Sequence, residues 1–295
     1  MKYVVTGSTG HISKPLTASL INAGHSVTVI SSNASKTTEI EAIGAKAAIG
    51  SVEDVAFLTA TFTGAEVVYT MVPPTWNAAD WKGYIHQIGK NYAQAIKASG
   101  VKKVVNLSSV GAHMATGCGP VSGLFHVETE LNSLENIDVL HLRPAFFYYN
   151  LCANIPLIKH MGIIGGNYGE ATTMVMVHPN DIAAVASTHL LNPSFSGSSV
   201  VYIAVDERPT NEIAKVLGEA IGKPGLPWVN FKNEDSLNGM IQAGLSQEVA
   251  SNYVEMGAAI ASGEMSSDYQ NHKPTLSPTK LEDFAKEFAA IFANS

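Results

Sequence analysis

The chain has 295 residues, 46% of them hydrophobic and only 15% charged, with a formal net charge of −7. That length buries a large core, either as one big domain or as a domain with a smaller companion. The acidic balance and the lack of a basic cluster argue against nucleic acid or an anionic membrane surface as partner.

No run of about 18 apolar residues offers a bilayer span. MKYVVTG leads directly into a strand without the apolar stretch of a signal peptide, so a cytoplasmic location is expected. Cys118 and Cys152 have no metal-ligand spacing, and reduced thiols suit that compartment. The ten histidines show neither HxxxH nor HExxH spacing, so no metal centre is expected.

In chain order, KYVVTG predicts the first strand and residues 12–23 the first helix. HSVTVIS, AKAAIG, AEVVYTMV and KKVVNLSS predict four more strands, short and mostly β-branched, bounded by Gly, Ser or Pro. Helices are predicted between them over 35–43, 53–62 and 80–98, with Gly24 and Gly100 at left-handed stops. Next come a helix over 121–135, the strand IDVLHLR, a strand feeding a helix in MVMVHPNDIAAVASTHLL, and the strand SSVVYIAV. From about residue 206 the pattern turns mostly helical, with NEIAKVLGEAIG, 234–262 and 279–293. The expected fold is α/β, a Rossmann-type doubly wound parallel sheet with a smaller, mostly helical C-terminal lobe. Residues 1–150 and about 174–205 are assigned to the nucleotide-binding domain, and 151–173 and 206–295 to the lobe.

The first turn, GSTGHIS, carries the clearest chemical signal. Gly7 suits a tight turn, Gly10 lets a diphosphate approach the backbone, and Ser13 is small enough for helix–strand packing. The helix that follows offers free N–H groups and a partial positive charge. An ordinary strand–helix turn is the alternative, but the place immediately after the first strand of a βαβ series favours a dinucleotide. The second strand ends VTVISSNASK, with no acid at Ser31, Ser32 or Asn33 and with Lys36 nearby. That chemistry favours NADP(H) and leaves NAD(H) allowed; the alternative is a polar loop that touches no ligand.

GSTGHIS, VVYTMVPP, NLSSVGA, HVETEL, LRPAFFYYN and MVHPNDIA occur in the order found in NmrA-like proteins, which the chain resembles from residue 1 to about 190. These are atypical members of the short-chain dehydrogenase/reductase superfamily. The resemblance implies an NADP(H)-preferring Rossmann domain, and either a reductase of quinones or dyes or a non-catalytic redox sensor. It places Gly7, Thr9, Gly10, His11 and Ile12 on the pyrophosphate and Ser31 to Asn33 with Lys36 on the adenosine phosphate. It puts Ser51 and Val52 near adenine, and Thr70, Met71 and Val72 beside the nicotinamide.

The superfamily pairs a tyrosine with a lysine four residues later. Here Ser122 and His126 stand in those places, and Glu130 follows. Without that tyrosine an alcohol has no base, whereas a quinone-like acceptor needs mainly orientation. His126 is a candidate for catalysis and cofactor contact, or a helix-face histidine bonded to backbone. Ser108 and Ser109 line the cofactor or cap a turn. Tyr69, Tyr148 and Tyr149 are candidate proton donors or core residues. Phe146, Phe147, Tyr148, Tyr149 and Asn150 form an aromatic substrate wall or a hinge. His178 ends a strand facing the crevice, and His113 lies on a loop that covers it. The expected partner is a small-molecule acceptor; a homodimer or a regulatory protein is also considered.

Overall fold

Short β-branched runs separated by amphipathic segments fold here as predicted, strand and helix in turn. In the computed structural model, which describes residues 1–169 and 172–295, the first half runs β1 (Lys2–Val5), α1 (Ser13–Asn22), β2 (Ser26–Ser31), α2 (Thr37–Ala42), β3 (Lys46–Ile49) and α3 (Val55–Phe62). It continues β4 (Val67–Thr70), α4 (Trp81–Ser99), β5 (Lys103–Leu107), α5 (Val121–Asn132) and β6 (Asp138–Pro144). Then follow β7 (Phe146–Phe147), α6 (Ile155–Met161), β8 (Ile164–Gly166), β9 (Thr173–Val177), α7 (Pro179–Leu191) and β10 (Ser198–Ile203). The C-terminal part holds β11 (Asp206–Pro209), α8 (Thr210–Ala220), β12 (Trp228–Asn230), α9 (Asn233–Gln242), α10 (Gln247–Ser262), α11 (Ser267–Asn271) and α12 (Leu281–Asn294).

Seven parallel strands form the main sheet in the order β10-β6-β5-β4-β1-β2-β3. The order reverses beside β1, which leaves a crevice at the carboxyl ends of β1 and β4 where such sheets bind ligands. Successive residues of each strand enter opposite cores. Tyr3, Val5, Val27, Val29, Val67, Tyr69, Val105 and Leu140 pack with Leu16 and Leu20 of α1 and Ile182 and Leu190 of α7. Val4, Ile30, Val68, Val104 and Val139 pack on the other side with Phe62, Ile88, Tyr92, Val127 and Leu131 of α3, α4 and α5. Burial on both faces is why the strands read as continuous apolar runs rather than as alternating ones.

Three departures come from tertiary pairing. MVMV, read as one strand of the series, forms β9 in a separate sheet, parallel to β7 and antiparallel to β11. The mostly helical tail contains strands, since β11 opens it and β12 pairs with β8. The helix expected over 234–262 is two, because Ser246 Oγ accepts the Val249 N–H and restarts it as α10. Glu170 and Ala171, inside the segment 151–173 assigned to the lobe, lie outside the described residues. No helix among the described residues is long and apolar enough to cross a membrane.

Candidate functional site

β1 delivers the glycine turn to the crevice. Gly7 sits at φ +92°, and a Cβ there would lie 2.5 Å from Ser13 Oγ. That hydroxyl donates to the Thr6 carbonyl at 2.9 Å, so Ser13 both fills the third small position and ties α1 to β1. A Cβ on Gly10 would meet only the Gly7 carbonyl, 3.1 Å away, so its outer side is open. No side chain caps α1, and its first turn carries no acid. An open glycine cradle at an uncapped helix start fits a dinucleotide diphosphate.

At the segment expected to flank the nicotinamide, the end of β4 is held from two directions. The Met71 N–H donates to Thr6 Oγ1 at 2.8 Å, and Tyr92 donates to the Met71 carbonyl at 2.6 Å. Thr70, in register with Asn106 and through it with His141, begins a buried chain. Thr70 Oγ1 donates to Asn106 Oδ1 at 2.9 Å, Asn106 Nδ2 donates to His141 Nδ1 at 3.1 Å, and His141 Nε2–H donates to Asn132 at 2.9 Å. Burial holds the His141 imidazole below its usual pKa, in keeping with one proton-bearing and one accepting nitrogen. Val72 packs at the edge of the core under α3–α5.

At the end of β2, expected to take the adenosine phosphate, Ser8 Oγ donates to Ser31 Oγ at 3.0 Å, and Asn33 caps the turn by accepting the Ser35 N–H. Ser32 is exposed. Lys36 is paired rather than free, with Nζ 2.9 Å from Glu39. The same carboxylate accepts from Lys14 and from Thr9 Oγ1 at 2.9 Å each. Bonds from Lys36, Lys14 and Thr9 hold it down to about 2. Glu39 is not among the residues expected from the sequence, because it lies a helical turn beyond the end of β2; its spacing three residues after Lys36 is the local signal for their pairing. Ser51 accepts the Glu53 N–H, while Val52 is buried and its carbonyl accepts from Asn91.

Ser108, at the end of β5, donates to Glu128 Oε1 at 2.5 Å. Glu128 pairs with Arg143 at 2.6 Å, and Arg143 reaches Tyr202 and Asp268 at 2.9 Å each. This network lies beside a cavity of about 370 Å³ at the β10 edge. Ser122 is buried and accepts the Cys118 N–H at 3.1 Å. His126 stacks on His86 of α4 with centroids 4.8 Å apart. Burial first, then the His86 charge, keep its pKa below the usual value. Cys118 is buried, and its thiol is pushed up to about 12 by that burial.

The three tyrosines separate sharply. Tyr69 and Tyr148 are fully buried with their hydroxyls unpartnered, and burial raises both phenols far above the ordinary range. Tyr148 stacks on Phe284 of α12. Tyr149 is half-exposed and stacks on His11 of the glycine turn, centroids 5.0 Å apart and planes at 21°. Its hydroxyl donates to Glu287 of α12 at 2.6 Å, and burial, then Glu287, push it up to about 12. His178 lies 5.7 Å from the Tyr149 ring. Its Nδ1 accepts the Asn180 N–H at the start of α7, which leaves Nε2–H facing Glu287 at 3.3 Å.

The structure therefore brings His11, Tyr149 and His178 together and adds Glu287, which sits on an amphipathic C-terminal helix with no local mark. Phe147 is half-buried and Asn150 exposed. His113 sits apart, 3.1 Å from Ser267 of α11. Among the described residues no group of His, Cys, Asp or Glu is arranged to hold a metal.

The profile of the NmrA-like family matches residues 2–285. An NAD(P)H azoreductase of Xenophilus azovorans is 24% identical over 293 residues, 98% of either chain. The triphenylmethane reductase of Citrobacter sp. has a similar structure, with a TM-score of 0.82 at 20% identity over 98% of this chain and 100% of that one. So has the NADPH-dependent quinone oxidoreductase of Escherichia coli complexed with NADPH, with a TM-score of 0.82 at 20% identity over 97% and 99%. At these identities the structural likeness establishes the fold.

Proposed function

The chain belongs to the NmrA-like family, and from that premise we propose that it is an NADPH-dependent reductase passing hydride to a small flat acceptor such as a quinone. The observation that carries this reading is Tyr149 stacked on His11, which sets an aromatic side chain on the diphosphate-type turn at the mouth of the crevice. The relatives named for azo, dye and quinone reduction support it. NADP(H) is the preferred cofactor and NAD(H) an allowed one.

A bound reduced nicotinamide supplies hydride, and a proton from solvent completes reduction of a quinone to its hydroquinone. The chain's own residues bind and orient. Thr9, Gly10, His11 and Ile12, at the start of α1 where no side chain caps the helix, hold the diphosphate. Ser31 to Asn33 and Lys36 take the adenosine phosphate side, Ser51 and Val52 the adenine, and Thr70, Met71, Val72 and Ser108 the nicotinamide. The Met71 peptide, fixed by Thr6 and Tyr92, would give the nicotinamide side a rigid edge and so help to orient cofactor and acceptor. We place Tyr149, rather than Tyr69 or His126, on the acceptor side, with Phe147, Asn150 and His178 around it. With its phenol proton held by Glu287, Tyr149 offers the acceptor its ring face rather than a proton.

The test is consumption of NADPH by the purified protein with a panel of quinones, azo dyes and triphenylmethane dyes. Turnover with at least one is expected. Cofactor binding without turnover on any would overturn the reductase and favour the second reading, a non-catalytic NADP(H)-binding sensor that signals through a protein partner. That reading draws on Ser122 and His126 standing where the superfamily has its tyrosine and lysine.

A further inference from the structure

Glu39 is held by donors from three separate elements. Lys14 comes from α1, Lys36 from the segment after β2, and Thr9 from between the two glycines of the turn, each at 2.9 Å. Two ammonium groups and a hydroxyl converging on one carboxylate form a cradle with the donor chemistry of a phosphate site. The groups are reachable from solvent: Glu39 is 34% exposed, Lys14 52% and Lys36 43%. The carboxylate stands against the glycine turn, beside the end of β2, although it comes from the helix beyond.

We propose that Glu39 sets the cofactor preference, acting as an exchangeable internal anion. It accepts the ribose hydroxyls of NAD(H) where it stands and gives up the two lysines to the 2′-phosphate of NADP(H). This rests on the dinucleotide reading given above. With Glu39 in place the two lysines carry a net charge of one, and with it displaced a charge of two. A 2′-phosphate brings a further charge of about −1.5 to −2. Phosphate and carboxylate on the same two ammonium groups repel, so NADP(H) binds only at the cost of moving Glu39 aside, whereas NAD(H) meets no such cost. The strand end read alone, with no acid, points to NADP(H); the carboxylate arriving from α2 makes both cofactors acceptable.

The test is calorimetry with NADPH, NADH and the fragment 2′-AMP on the wild type, Glu39→Gln and Lys36→Gln. Glu39→Gln is expected to tighten NADPH and 2′-AMP by about fivefold and to weaken NADH, the scale of an exposed ion pair. Lys36→Gln is expected to weaken NADPH and 2′-AMP and to spare NADH. Thermal melting establishes that both variants are folded. If both cofactors bind but their affinity ratio is the same in wild type and Glu39→Gln, the proposal is overturned and the dinucleotide site stands. If neither cofactor binds the wild type, the dinucleotide reading falls and takes this proposal with it.

Discussion

Gly7 and Gly10 look alike in the sequence and differ in what they do. Gly7 holds a left-handed backbone with Ser13 Oγ in the space a Cβ would need, so its requirement lies within the fold itself. Gly10 has an ordinary backbone and one tight neighbour, the Gly7 carbonyl 3.1 Å from where a Cβ would sit, with nothing else near, so most of its requirement lies with whatever approaches the turn. Gly7→Ala is therefore expected to cost about 2 kcal/mol, from the left-handed conformation and the displaced Ser13 bond, read as a lowered urea midpoint. Gly10→Val is expected to lower that midpoint by less than Gly7→Ala does, through the tight contact with the Gly7 carbonyl, while removing the heat of NADPH binding in calorimetry. The reverse pattern would show that Gly10 serves packing alone.

At the scale of elements, α4 depends on how it starts. Asp80 holds an extended backbone and accepts the Gly83 N–H at 2.9 Å, satisfying one of the first N–H groups that a helix leaves unpaired. The helix is 19 residues long and supplies Ile88 and Tyr92 to the core under the sheet. Its Tyr92 also fixes the Met71 carbonyl beside the crevice, so the cap bears on the site through the helix. Asp80→Ala is expected to destabilise by about 1 kcal/mol in chemical denaturation, with Asp80→Asn retaining most of the stability. Equal losses in both variants would show that the cap contributes through its charge rather than its hydrogen bond.

For the molecule as a whole, the C-terminal segment is joined to the sheet through buried charge. Arg143 on β6 binds Glu128 of α5, Tyr202 of β10 and Asp268 of α11, while Ser108 closes the network at the end of β5. Arg143 and Glu128 are both almost fully buried, so neither is hydrated if the other loses its charge. Glu128→Gln is expected to cost about 3 kcal/mol, since Arg143 keeps only the partly exposed Asp268 as charge partner, whereas Glu128→Leu combined with Arg143→Met recovers much of the loss, because the charge that remains, on Asp268, is 29% exposed to solvent. Urea denaturation of the single and double variants decides it. A double variant less stable than the single would mean that the network's worth lies in its hydrogen bonds.

Strand and helix spacing, the glycine turn and its serine were legible in the sequence because each depends on neighbours within a few residues. A short continuous apolar run, a left-handed stop or a small third position leaves its mark locally. The sequence thus determined the doubly wound sheet and the place of the glycine turn. It left no trace of Glu39 beside Thr9, of Tyr149 and His178 converging on Glu287, or of Arg143 joining three elements. Only the tertiary structure decided these, since residues 11, 149, 178 and 287 meet when α12 and the segment after β6 pack on the same core as α1. Packing sets that geometry, and no spacing along the chain encodes it.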